Sequence, residues 1–391
     1  MSGFEMHRFR TIDRPLSKKE MEEIDTWSSR FSPTSTGVTY IYHYGSFGQD
    51  ADRVFPKYFD AMLYADNWGT KQLMFRFPKD LVDWNMLRQF THIKEDYKHL
   101  KFKRVGDYVV MDLYWNEEEG GEWVEEDDYV LDTLLPLREE ILNGDFRTLY
   151  LGWLMVQGTE DWEDEEYEDD EDWEDEEHNT GMPPIPPNLQ HLTAAHQYLI
   201  EKFEIEEDLV KAAASHSQHT SQQKPDYKKL IALLSTEEKE AFLLRVATGE
   251  RRTEIKLRQR LVELSGGKKE LAVGGKSPSW DSLTKKAKVI ETETAKRLAE
   301  EQRAAHKKRM EALISQQPKL WQEAENNILK SQSRSYDRAV KILCELKEVA
   351  EYQEQLKDFE QKLAQLLSPF LRRGALMRRL RAGGLMTIKE S

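Results

Sequence analysis

The stretch KFKRVGDYVVMDLYW, Lys101 to Trp115, decides the fold class. Apolar and polar residues alternate on both sides of Gly106-Asp107, a pair that suits the positive φ of a tight hairpin turn, so two antiparallel strands are expected. Upstream, EMHRFRTI (Glu5 to Ile12), GVTYIYHYG (Gly37 to Gly45) and KQLMFRF (Lys71 to Phe77) keep the same two-residue period. Between them the period lengthens to that of a helix. Ser17 followed by Glu20 is a capping box that starts a helix through about Ser29, and Ala51, Phe55, Tyr58, Met62 and Ala65 fall on one helical face. VLDTLLPLREEILNG and DFRTLYLGWLMVQ read as two helices divided at Gly144, where a glycine can take the left-handed C-cap. Strands mixed with helices in this way define an α+β domain over residues 1–158.

The following run, TEDWEDEEYEDDEDWEDEEH, Thr159 to His178, has fifteen carboxylates in twenty positions and no Lys or Arg. With MPPIPPNL after it, residues 159–188 read as an acidic, proline-rich disordered linker. Residues 189–264 read as a small helical domain, with Ser235 and Glu238 capping the helix that contains AFLLRVATG. SGGKKELAVGGKSPS places a Gly/Ser/Lys linker at 265–280. Residues 281–391 read as a basic helical hairpin or coiled coil, so the whole is an α+β domain followed by an all-α half.

Within that last module Pro318 is expected to end a charged helix at Gln317. Ala339, Ile342, Leu346, Val349, Gln353, Leu356, Glu360, Leu363 and Leu367 then fall at alternating steps of three and four, a heptad seam with two polar breaks. Leu343 and Phe359 widen the stripe, which favours packing within one chain over a strict coiled coil.

The net charge of −15 is unevenly spread. Asp281 to Ser391 holds 23 Lys plus Arg against 16 Asp plus Glu, a surplus of seven, while the preceding residues are strongly acidic. That division leaves the C-terminal part free to meet a polyanion. Cys344 is the only cysteine, which excludes a disulfide within the chain. No apolar run reaches membrane-spanning length and the first twenty residues lack a secretory pattern, so a cytoplasmic location without membrane contact is expected.

YFDAMLYADNWGTKQLMFRFP, Tyr58 to Pro78, with RPLSKKEM and SSRFSPTS before it, resembles the N-terminal region of a family of uncharacterised bacterial proteins. YDRAVKILCELKEVA and ALMRRLRAGGL are similar to a C-terminal helical module of some bacterial SWIM zinc-finger proteins, although the finger's cysteines are missing here. The resemblance implies a bacterial origin. It assigns no catalytic residue, cofactor or metal.

Five features are candidates for function. Asn67, Trp68 and Gly69 are expected to join a helix to a strand, as a surface site or as a plain C-cap. His191 with His196, or His216 with His219, could pair on a metal, but their spacing and surroundings suit solvated histidines better. Trp162, Tyr167 and Trp173 give the acidic run the alternation of a docking segment, against the plainer reading of a solvating spacer. Arg372, Arg373, Arg378, Arg379 and Arg381 form a basic amphipathic tail that can meet a polyanion, or the acidic run itself. No nucleophile elbow or phosphate loop occurs, and no metal or cofactor is expected. The composition therefore points to a non-enzymatic interaction or scaffold protein that associates with itself or a protein partner through its C-terminal helices. The alternatives are a weak nucleic-acid accessory protein held back by its acidic run, and a hydrolase with scattered carboxylates in the N-terminal domain.

Overall fold

A computed structural model of the chain describes residues 3–94, 97–116, 125–158, 182–219, 227–264 and 278–386. The chain forms two compact units, Met1–Glu291 and Thr292–Ser391.

In the first unit, strands β1 (Glu5–Arg10), β2 (Gly37–Tyr42), β3 (Ala61–Asp66), β4 (Lys71–Pro78), β5 (His92–Lys94), β6 (Lys98–Val105) and β7 (Tyr108–Trp115) build one sheet. The order is β2-β1-β3-β4-β7-β6-β5, with every neighbouring pair antiparallel. The expected hairpin is present: Val105 faces Tyr108 and Gly106 turns the chain at φ 59°. At Gly37 the φ is +147° and an added Cβ would lie 2.1 Å from the Phe9 carbonyl oxygen, so the β2 edge approaches β1 only because that side chain is absent.

The helices of this unit are α1 (Lys18–Asp25), α2 (Ala51–Tyr58), α3 (Trp84–Arg88), α4 (Leu131–Leu142), α5 (Arg147–Gln157), α6 (Ala194–Lys202), α7 (Glu207–Ala214), α8 (Tyr227–Ala232), α9 (Thr236–Ala247) and α10 (Thr253–Leu264), followed by the start of α11 (Trp280–Leu329). The capping box of Ser17 and Glu20 is formed, and Gly144 turns the chain between α4 and α5 at φ 83°. The helical face expected through Met62 and Ala65 is a correction. The helix ends at Tyr58, and Ala61 to Asp66 is a strand between β1 and β4. AMLYA is apolar on both sides, and such a run satisfies a buried strand as well as a helix. The extended Phe59 and the Asp60 carboxylate, bound to Arg76 Nη2 at 2.7 Å, fix the switch.

One face of the sheet packs under α4 and α5 through Leu63, Leu73, Phe75, Leu100 and Leu113, and the other under α1 and α2 through Phe9, Met62 and Met74. Every residue of α5 from Arg147 to Val156 is buried. Gly152 allows the close approach, since a Cβ there would meet Leu113 and Leu100 at 3.1 and 3.2 Å. A helix apolar on all sides needs a second cover. Leu199 of α6, Phe203 just after it, and Leu209 and Ala213 of α7 belong to the same hydrophobic cluster and supply it. Leu189 to Ala213, the first part of the stretch expected to form a small helical domain, thus contribute to the core of the sheet.

A buried ionic network closes this unit. Arg138, with no exposed surface, donates to both oxygens of Asp13 at 3.0 and 2.8 Å and to the Arg76 carbonyl at 2.8 Å. Asp60 accepts from Arg76 and from the backbone of Ile12 and Asp13. Arg252, just before α10, joins Asp13 to Glu139.

In the second unit the end of α11 packs with α12 (Ser333–Tyr352), α13 (Leu356–Leu367) and α14 (Gly374–Ala382) around Ala324, Ile328, Leu343, Leu346, Phe359, Leu376 and Leu380. Pro318 does not end α11, which is a further correction. The proline forfeits one helical hydrogen bond, and burial of Met310 before it and Ala324 and Ile328 after it holds both flanks. The heptad seam is real in composition but broken in space. Glu354 turns at φ 57°, α12 ends, and Leu356 at the start of α13 is 36% exposed.

Candidate interaction surfaces

Of the two helices before α10, neither has a buried residue, and α9 is the longer. Its capping box is formed, Ser235 accepting from the Glu238 backbone and Glu238 from the Ser235 backbone, and Gly249 ends the turn after it at φ 71°. Glu238 anchors α9 to α10 through Arg260 Nε at 2.8 Å. None of its residues is buried, yet it carries Leu243, Leu244 and Val246 at 69, 65 and 63% exposure. Tyr227, Ile231 and Leu233 nearby in the chain are also exposed. Three large apolar side chains exposed within one helical turn mark a contact surface more often than isolated leucines do.

Residues 227–264 hold nine Lys or Arg against six Glu. Several are engaged: Arg252 with Asp13 and Glu139, Lys256 with Asp80, Arg260 with Glu238 and Glu263, and Arg245 with Glu250. Lys228 and Arg251 are exposed beside the apolar residues in sequence. The sequence does contain this signal, since AFLLRVA is more apolar than a capped surface helix requires. Its lack of cover was decided by the fold.

The structure sorts the tail arginines into two kinds. Arg373 donates to the Ile328 carbonyl at 2.7 Å and stacks on Phe370, and Arg379 donates to Asp337 at 2.5 Å and to Ser333 at 2.6 Å. Both hold α14 to its neighbours. Arg372, Arg378 and Arg381 are exposed. Trp162, Tyr167 and Trp173 lie outside the described residues.

Asn67, Trp68 and Gly69 form the β3–β4 hairpin turn instead of a helix-to-strand joint. Asp66 Oδ1 accepts from the backbone of Trp68 and Thr70 at 2.9 Å, Asn67 Oδ1 accepts from the Phe4 backbone, and Gly69 takes φ 94°. These letters are explained by the turn, although Trp68 keeps 58% of its surface exposed. The histidines regroup. His196 is fully buried against Thr193 and Thr148, and burial pulls its pKa down to about 4. His191 instead meets His219, ring centres 5.2 Å apart, in a cleft of about 440 Å³ beside Asp145 and Arg147. Arg147 already grips Asp145 through Nε and Nη2, and no group of three metal-ligating side chains occurs among the described residues.

No helix among the described residues is long and apolar enough to cross a membrane. Comparison with known protein families, with curated proteins and with solved structures gives no match.

Proposed function

We propose that the protein is a non-enzymatic interaction protein whose docking surface is the exposed apolar face of α8 and α9, and whose ligand is the acidic aromatic run Thr159–His178 of the same or a neighbouring copy. The observation that carries this reading is the exposure of Leu243, Leu244 and Val246 on a helix with no buried residue. The run supplies the complement, with Trp162, Tyr167 and Trp173 for the apolar face and fifteen carboxylates for its surplus of cations. The C-terminal helices are a weaker choice for assembly, because Leu343, Leu346, Leu363 and Leu367 are already buried in their own core.

A labelled peptide of residues 159–178 tests this. It is titrated into the full chain with that run replaced by a Gly/Ser linker of equal length, and into the same protein carrying Leu243→Ser and Leu244→Ser. Saturable binding that weakens at least tenfold in the double variant supports the reading. Absence of binding, or binding lost only with Arg372→Gln, Arg378→Gln and Arg381→Gln, overturns it.

A second reading, weak contact with nucleic acid, is favoured by the exposure of Arg372, Arg378 and Arg381 at one end of the basic unit. Its signature is a steep loss of affinity with salt, because each phosphate contact releases counterions.

A further inference from the structure

The face of the sheet under α1 and α2 changes character from one row to the next. Phe9, Met62 and Met74 lie in register beneath the aromatic cluster. Two residues further along the strands, His7, Tyr64, Gln72, Tyr114 and His99 form a continuous row across β1, β3, β4, β7 and β6. Four carboxylates border it: Glu5, Asp66, Asp112 and, from the first turn of α2, Asp52. An apolar row would be cheaper to bury, since buried polar groups cost free energy unless each finds a partner.

Their partners divide unevenly. Asp112 is well supplied, by His99 Nε2 at 3.0 Å, Gln72 Nε2 at 2.9 Å and Lys101 Nζ at 3.3 Å. Asp66 is also well supplied, by the Tyr64 hydroxyl at 2.7 Å and by the Trp68 and Thr70 backbone at 2.9 Å, whereas Glu5 accepts from the Phe47 backbone at 2.7 Å and Asp52 from Gln72 Nε2 at a long 3.4 Å. Among the described residues no lysine or arginine is within salt-bridge distance of Glu5, Asp52 or Asp66. The row is one electrostatic neighbourhood. Burial raises the Glu5 pKa against the Phe47 hydrogen bond, with the Asp66 charge adding to it, and burial and then the Asp112 charge raise that of Asp52 against the pull of Lys101. Tyr114 is raised by burial and by Asp66, Asp112 and Asp52 together.

His7 adds an independent sign. It is 7% exposed, and its Nδ1 makes no hydrogen bond although it lies 3.4 Å from Glu5 Oε1. A donor that reaches Glu5 Oε1 also comes near this nitrogen, which accepts in the tautomer that leaves Nδ1 unprotonated. The flanking rings of Tyr64 and Tyr114 are only partly buried, and aromatic faces attract cations.

We infer that this row binds an organic cation of the alkylammonium class, which stacks on Tyr64 and Tyr114 and donates to Glu5 and Asp52. Strands spaced about 4.8 Å apart put β1 and β7 roughly 14 Å from one another, a span suited to an extended polyamine. Lys101 bounds the site at the β6 side and disfavours a cation there. The inference stands apart from the docking reading, since no residue is shared.

Calorimetric titration of spermidine into the full chain and into its Glu5→Gln/Asp52→Asn variant tests it. Both substitutions keep the size and shape of the side chain, and unchanged circular dichroism and melting show that the variant is folded. The acidic run is present in both proteins, so the difference isolates the row. Loss of one saturable site in the variant, with at least a tenfold fall in affinity, is expected. Identical isotherms for the two proteins overturn the inference.

Discussion

If the heptad seam were a continuous coiled-coil face, Leu346→Ala and Leu356→Ala would cost the same. The structure separates them. Leu346 is 1% exposed within the cluster of Ile342, Leu343, Ala350 and Phe359, whereas Leu356 opens α13 at 36% exposure. Truncating a buried leucine removes its transfer free energy and leaves a cavity, for about 3 kcal/mol. At Leu356 water already reaches the side chain and fills the space vacated, so the cost is about 1 kcal/mol or less. For a unit of this size each kcal/mol shifts the midpoint by about 4–8 °C, so Leu346→Ala lowers the melting of the second unit by roughly 15 °C and Leu356→Ala by about 5 °C. Leu343→Ala is the control: it lies off the seam but is fully buried, and it should behave like Leu346→Ala. Calorimetry of the full chain, with hydrogen exchange of peptides from α12 to assign the transition, reads all three. Equal losses for Leu346→Ala and Leu356→Ala, with little effect of Leu343→Ala, would refute the single-chain bundle and restore a coiled coil in which another chain covers Leu356.

Three other outcomes follow from the same contacts. Arg138→Leu should destabilise the first unit by about 3–5 kcal/mol, measured by denaturant unfolding, because it strips a bidentate partner from Asp13 inside a closed network. Acid should weaken this unit below pH 6.5. His7 and His196 are held down to about 3 and about 4 by burial, so the stability they contribute is present above the unfolded value of 6.5 and is lost as pH falls towards those values, by at most about 1.4 kcal/mol per residue per pH unit. Glu5 and Asp52, whose carboxyls burial raises, oppose this loss as pH falls, and an unchanged melting temperature of the first unit from pH 7 to 5 would contradict the expected weakening. Among the arginines, Arg379→Gln should lower the melting of the second unit by breaking its contacts with Asp337 and Ser333, while Arg372→Gln/Arg378→Gln/Arg381→Gln should leave melting unchanged and flatten the salt dependence of any duplex DNA binding.

Much of the architecture is written in local sequence, because a hairpin turn, a capping box and a two-residue period act over a few residues. Gly106-Asp107, Ser17 with Glu20, Ser235 with Glu238 and Gly144 all took the conformations their side chains dictate. So did the division into a mixed α/β half and a helical half. What depended on distant partners was not legible. AMLYA became a strand because β1 and β4 flank it, α11 passed through Pro318 because packing held both sides, and the seam broke at Glu354 because α13 packs back on its own chain. LYLGWLMV was legible as a helix, but only the fold showed that it is buried on all sides and that α6 and α7 supply the cover. The surfaces divide in the same way. Composition identified five arginines, whereas carbonyl and carboxylate neighbours in space decided that Arg373 and Arg379 are structural and that the other three face solvent. The row from His7 to His99 could not be read from sequence at all, since it is assembled by the register of five strands whose order in space differs from their order along the chain.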